Sequence, residues 1–214
     1  MSRRLGWPVD YRVATLEDAE EIVRLLADVF SASDPPAVAM GITAAEMEQF
    51  LRLIVPGVIP DGLTVAAREE SGKLAGAFLT DDFATPPAIE AAPINTKFLP
   101  ILAMLEALDE QFRHGKGISR GKYLHLFMVG VDREYVGRGV AQGLVQHCLE
   151  NGCRKGYRTA LTEATGKVSQ HIFRKNGFAE RFRASYRDFV YQGQKVFSSI
   201  QAHDATILMD RVLV

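Results

Sequence analysis

Residues Val9 to Thr15 alternate apolar and polar, the period of a half-buried strand. Thr15 with Asp18 three residues on resembles a capping box and opens a helix through Val29. Ser31 to Met40 reads as a loop, because Pro35-Pro36 cannot continue a helix. Thr43 caps the next helix, whose Met47, Phe50, Leu51 and Ile54 recur at helical spacing. Gly62 to Arg68 and Lys73 to Thr80 predict a hairpin turning at Glu70-Ser71-Gly72. A Pro- and Ala-rich loop from Phe83 to Asn95 follows, then an amphipathic helix from Leu99 to Phe112 and a polar, Gly-rich connector from His114 to Gly121.

The second half proceeds as strand Tyr123–Val131, helix Gly139–Arg154, strand Arg158–Glu163 and helix Val168–Lys175. Two further strands near Arg181–Tyr191 and Val196–Val212 predict a terminal antiparallel hairpin. This order implies one α/β domain with a mixed sheet over residues 1–214. A dinucleotide-binding fold would need G-x-G-x-x-G after the first strand, and nothing from Val9 to Leu26 supplies it.

At 214 residues the chain is long enough for one large domain with a proper core. Its net charge of −1 gives no reason to expect nucleic acid or an anionic membrane as a partner. No apolar run is long enough to span a bilayer, and no signal-type apolar segment follows Met1-Ser2-Arg3-Arg4. Cys148 and Cys153 lie five apart on different faces of one predicted helix, with no metal-ligand pattern. The expectation is a soluble cytoplasmic protein without a metal.

Candidate chemistry centres on the strand that runs through Asp132-Arg133-Glu134-Tyr135 into Gly137-Arg138-Gly139-Val140-Ala141 and a helix. The first N–H groups of a helix have no internal partner, and its dipole puts partial positive charge there. Gly137 and Gly139 carry no Cβ, so a bulky phosphate can approach the backbone closely. Alone, the Gly-Arg-Gly turn reads first as an ordinary strand-to-helix connection.

The order strand, basic-Gly turn, helix, strand, helix, then Asn176-Gly177-Phe178, resembles the acetyl-CoA-binding core of the GNAT superfamily of N-acetyltransferases. The family pattern at the turn is Arg/Gln-x-x-Gly-x-Gly/Ala; Val136 stands at its opening position and Gly139 and Ala141 match its later ones. Tyr123-Leu124-His125-Leu126-Phe127, Glu163-Ala164-Thr165-Gly166-Lys167 running into Ser169, and His203 with Leu208-Met209 look like the insect-type arylalkylamine (dopamine-like) branch. So does Phe30 followed by Asp34-Pro35 and by Gly41-Ile42-Thr43 before a helix. The resemblance implies a single α/β domain with a mixed, mostly antiparallel central sheet flanked by helices and a splayed central strand pair. It places the acetyl-CoA core at about 122–178 and the acceptor-site loops at about 31–42 and 83–97.

It also implies direct transfer of acetyl from acetyl-CoA to a small-molecule amine, with no metal. Backbone donors of Gly137, Arg138, Gly139, Val140, Ala141 and Gln142 would hold the pyrophosphate. Met128, Val129, Gly130 and Val131 would lie along the pantetheine arm, on a strand that bulges in family members, with Ser169 and Phe173 also beside acetyl-CoA. An alkyl ammonium of pKa about 10 needs a proton acceptor near neutral pH. Asp34 is one candidate, at a position where relatives carry Glu, and is otherwise a carboxylate in a Ser-Asp-Pro turn. His125 is the other, or else a buried strand histidine hydrogen-bonded to backbone.

Many superfamily members protonate the leaving thiolate with a Tyr five residues before the Phe of the closing Gly-Phe. Here that residue is Phe173, which has no proton to give. Thr165 and Ser169, four apart, match hydroxyl positions near the thioester, although Thr165 is also placed to cap the following helix. A thiol of pKa about 8.5 is also a tolerable leaving group without an acid. His203 reads as structural or pocket-lining, and His114, His147 and His171 as solvated. Phe30, Phe127, Phe173, Tyr186 and Phe189 are candidate pocket walls. An arylalkylamine is a natural acceptor on this reading, with a polyamine, an amino acid or an amino sugar as the other small-amine alternatives. A peptide amine, or a non-catalytic CoA-binding sensor, is the competing expectation.

Overall fold

The computed structural model describes residues 9–87 and 94–213. Met1-Ser2-Arg3-Arg4 and residues 88–93 of the expected Pro- and Ala-rich loop lie outside the described residues. The strands β1 (Val9–Val13), β2 (Val65–Glu69), β3 (Leu74–Asp82), β4 (Tyr123–Val131), β5 (Thr159–Ala164), β6 (Ala179–Ser185) and β7 (Ala205–Val212) form one sheet in the order β1-β2-β3-β4-β5-β7-β6. Every neighbouring pair is antiparallel except β4 with β5. The helices are α1 (Ala19–Ser33), α2 (Pro35–Ala39), α3 (Ala44–Val58), α4 (Leu99–Arg113), α5 (Val140–Arg154) and α6 (Lys167–Lys175).

Strand alternation sends side chains into two cores. Ala67 of β2 and Phe78 of β3 pack with Leu144 and Val145 of α5, whereas Ala66, Ala77 and Leu79 pack with Ile22 and Leu26 of α1 and Leu51 of α3. Gly130 lets α1 approach β4, because a Cβ built there would lie 2.7 Å from Leu26 Cδ2.

One irregularity in β4 matters for function. Leu79 pairs with Met128 but Thr80 pairs with Leu126, so Phe127 is the extra residue of a β-bulge. Leu126 therefore joins the α5 core and Met128 the α1 core, although residues two apart on a regular strand share a face. Beside the bulge, β4 and β5 pair only from Tyr123–Thr159 to His125–Leu161. Thr162 Oγ1 donates to Leu126 O at 2.8 Å, the last stitch before the strands separate. The bulge and the splay expected from the resemblance are both present.

Two segments differ from their sequence reading. Helix α1 runs to Ser33 and Pro35–Ala39 is a short helix, so the expected loop over Ser31–Met40 is mostly helical. Proline is compatible with a first helical turn, whose N–H groups are unpaired anyway. Asp34 caps α2, its Oδ2 accepting from Ala37 N–H at 3.0 Å. The terminal pair is antiparallel as expected, but β6 ends at Ser185 and β7 starts at Ala205. The connection between them folds irregularly around Tyr186, Phe189 and Phe197, whose rings pack on one another.

Candidate active site

A cleft of ≈ 790 Å³ opens where β4 and β5 part. One end is the β4–α5 turn. Gly137 (φ +77°) and Gly139 (φ +83°) are left-handed there, a conformation that disfavours residues with a Cβ. Nothing lies within 4 Å of a Cβ built at either, so the space in front of the α5 N-terminus is open. The turn thus leaves open space before the first N–H groups of α5, a geometry suited to an anion. Among the expected acetyl-CoA contacts, Met128, Val129, Val131, Gly137, Gly139, Val140, Ala141, Gln142, Ser169 and Phe173 line the cleft. Gly130 faces Leu26 instead, and Arg138 lies outside the lining, its guanidinium 5.8 Å from the Tyr135 ring.

The other end lies among α1, α3, α4 and β5. Its walls include Phe30, Phe50, Phe98, Ile101 and Phe127. Phe50 and Phe98 stack at 4.5 Å. Of the aromatic candidates, Phe30, Phe127 and Phe173 line the cleft; Tyr186 is buried and donates to Thr165 O at 2.6 Å, and Phe189 packs on Phe197. Asp34 and Glu163 are the carboxylates in the lining, and no Lys or Arg belongs to it among the described residues. This end is therefore an apolar pocket whose lining includes two carboxyl groups.

Asp34 Oδ1 accepts from Thr165 Oγ1 at 2.6 Å. Burial pushes the Asp34 carboxyl above the usual carboxylate range, against the pull of the Thr165 and Ala37 donors. Thr165 does not cap α6. Gly166 takes that position, with Ser169 Oγ accepting from Gly166 N–H at 3.2 Å and donating to its carbonyl at 2.9 Å. Thr165 thus precedes the helix, which frees its hydroxyl to serve Asp34. His203 lines the cleft and accepts from Lys167 N–H at 3.1 Å through Nδ1. His147, expected to be solvated, is half-buried and stacks on Tyr11 at 4.4 Å.

His125 is buried and does not line the cleft. It bonds to carboxylates, not to backbone: Nδ1 lies 3.0 Å from Asp81 Oδ1 and Nε2 2.8 Å from Glu163 Oε2. Asp81 is its cross-strand partner on β3. Burial opposes a charge on the ring, but the facing Glu163 and Asp81 outweigh it and hold its pKa well above the ordinary histidine value. Burial likewise opposes ionisation of Glu163, and the imidazolium overcomes that, keeping its carboxyl below the usual range. Sequence reading treated Glu163 only as part of a motif and passed over Asp81 and Asp109. The usable signal was an acid inside an apolar strand, as in Leu161-Thr162-Glu163-Ala164, since such a residue needs a partner when buried.

The acetyltransferase (GNAT) family profile matches residues 58–178, more than half of the chain. The chain belongs to this family and is an enzyme of the N-acetyltransferase class. Solved structures share its fold across nearly its whole length. The C-terminal condensation domain of Ebony, in complex with β-alanyl-dopamine, superposes with a TM-score of 0.89 at 15% identity, over 96% of this chain and 99% of that one. Arylalkylamine N-acetyltransferase 2 from Aedes aegypti superposes with a TM-score of 0.80 at 19% identity, over 97% and 100%. The Drosophila melanogaster polyamine N-acetyltransferase gives 0.76 at 19%, over 96% and 100%.

Proposed function

We propose that this protein transfers acetyl directly from acetyl-CoA to the primary amine of a small molecule. The observation that carries the reading is one continuous cleft, with a glycine-lined anion cradle at one end and an apolar pocket holding carboxylates at the other. The open space before Gly137 and Gly139 fits a pyrophosphate, and the parted β4 and β5 fit an extended pantetheine arm. When bound, acetyl-CoA supplies the thioester that the amine attacks.

The backbone of Met128 to Val131, freed from β5 pairing beyond His125, offers N–H groups to the thioester oxygen. An oriented donor of that kind is worth about 3–4 kcal/mol of barrier. Asp34 takes the proton of the acceptor ammonium, since its raised pKa makes it a better base than an ordinary carboxylate. Thr165 aims it, and Ser169 provides a hydroxyl near the leaving sulfur. His125 is left the role of holding Glu163 ionised, because both of its ring nitrogens are engaged.

The aromatic walls suit an amine with an apolar body, an arylalkylamine included, and an apolar cleft favours a small acceptor over a peptide segment. The test is thiol release from acetyl-CoA with arylethylamines, polyamines, amino acids, amino sugars and a short peptide. Turnover of small amines supports the reading. Turnover of the peptide alone would favour the protein-amine alternative, and acetyl-CoA binding without any turnover the sensor.

A further inference from the structure

The aromatic wall of the acceptor pocket is braced from behind by a polar contact. Phe50 of α3 and Phe98, which ends the 3-10 turn Thr96–Phe98 leading into α4, are buried, line the cleft and stack at 4.5 Å. Glu46 lies one turn before Phe50 on α3, and Lys97 directly precedes Phe98. Lys97 Nζ donates to both oxygens of Glu46, at 2.8 and 2.9 Å, and to Gly41 O at 2.9 Å. Asn95 Nδ2 donates to Glu46 Oε1 at 2.8 Å, and Asn95 Oδ1 accepts from Lys97 N–H at 3.0 Å. Glu46 also accepts from Thr43 N–H at 2.9 Å, in the capping box that starts α3. One carboxylate thus joins the start of α3 to the segment that delivers Phe98, and Lys97 extends the join to Gly41.

An isolated surface ion pair contributes little, because water and salt screen it and two long side chains must be ordered. This pair differs in two respects. The Glu46 side chain is 23% exposed and already fixed by its own helix cap, so it has little freedom left to lose. The bonds from Lys97 and from Thr43 hold the Glu46 carboxyl down to about 2, so the contact stays charged across the neutral range.

We propose that Glu46 and Lys97 are specificity-determining residues for the acceptor: their clasp keeps Phe98 on Phe50 and so fixes how long an amine the pocket accepts. The assignment rests on the acetyl-transfer reading above and deepens it. Neither side chain lines the cleft, so each acts through the aromatic ring beside it. With the clasp intact, two stacked rings limit the apolar body of the amine. With it broken, the Asn95–Phe98 segment is released from α3 and the rings part. A longer body then fits, while a short one is held less well.

The experiment compares phenethylamine with 4-phenylbutylamine, which is two methylenes longer, in the wild type, Lys97→Met and Glu46→Gln. Both variants remove the charge pair with little change of size, and Gln can still close the capping box. Each should raise KM for phenethylamine about 3- to 10-fold with kcat nearly unchanged, and shift the kcat/KM ratio toward 4-phenylbutylamine by about 5-fold. The double variant should do no more than either single one, because the two residues act as one unit. Raising KCl from about 0.05 M to about 1 M shortens the screening length to roughly 3 Å. That change should move the wild-type ratio toward the variants' and leave theirs in place. Arg52→Met, which breaks ion pairs with Glu20 and Glu48 further along α3, should keep the wild-type ratio. A ratio unchanged in Lys97→Met, or changed equally by Arg52→Met, would overturn the clasp and leave acetyl transfer standing. A wild type that acetylates no amine would overturn both. If Glu46→Gln does not fold, Lys97→Met, which keeps the Thr43 cap, decides the matter.

Discussion

His125 stands between two carboxylates, 3.0 Å from Asp81 and 2.8 Å from Glu163, in a site where its side chain is 8% exposed. Removing the ring strands two buried anions, so His125→Ala should cost about 3–5 kcal/mol in chemical denaturation. The sign of its pH dependence follows from the raised pKa. The contribution is complete below the unfolded value of about 6.5 and is lost as pH rises through the folded one. Glu163 has the reverse sign, contributing above the unfolded carboxylate value and losing it as pH falls through its lowered one. Wild-type stability should therefore decline on the alkaline side, and His125→Gln should flatten that decline; an unchanged alkaline slope would refute the charged imidazole.

Asp34→Asn should lower kcat by about 10²- to 10⁴-fold, the usual range for a lost general base. The asparagine oxygen can still accept from Ala37 N–H, so stability should change little. Because Asp34 works only when ionised, the wild-type rate should fall as pH drops through its raised pKa. Thr165→Val removes a donor that favours the carboxylate, so this acidic limb should move to higher pH. Rates measured from pH 5 to 9 at saturating substrates check both.

Gly139→Asp should cost about 1–2 kcal/mol of stability, because an L-residue is strained at φ +83°. Its charge would face the bound pyrophosphate across a few ångströms, where like charges repel by roughly 4 kcal/mol near a protein surface. Acetyl-CoA affinity by titration calorimetry should fall on the order of 100-fold or more. Unchanged affinity would remove the cradle from the account.

Gly130 turns its Cβ direction to Leu26 and not to the cleft, so Gly130→Ala tests the packing of α1 on β4. Its Cβ would lie 2.7 Å from Leu26 Cδ2, an overpacking worth about 1–3 kcal/mol. The melting temperature should drop, and acetyl-CoA binding at temperatures where the variant remains folded should stay close to wild type. A loss of binding with stability preserved would instead put Gly130 at the ligand.

Much of the fold was legible because its signals are local. The 3.6-residue spacing of Met47, Phe50, Leu51 and Ile54 marks α3, and the Gly137-Arg138-Gly139 turn marks the start of α5. Helix α2 was missed because Pro-Pro ends one helix and equally opens another, and the deciding cap from Asp34 is a conformational fact. Asp34, Thr165 and Ser169 could be proposed one by one, but the Asp34–Thr165 bond joins residues far apart in the chain, which no periodicity encodes. The same holds for Asp81, Asp109, His125 and Glu163, contributed by β3, α4, β4 and β5. A single buried His reads alike whether it faces backbone or two acids.

The most direct test of the central claim is initial velocity measured over a grid of acetyl-CoA and amine concentrations, with thiol and N-acetyl product both quantified. Direct transfer from acetyl-CoA to the amine predicts intersecting reciprocal plots, equimolar products and no thiol release until the amine is added. Thiol released in a burst without amine, or acetyl-CoA bound tightly and never consumed with any amine, would contradict the account.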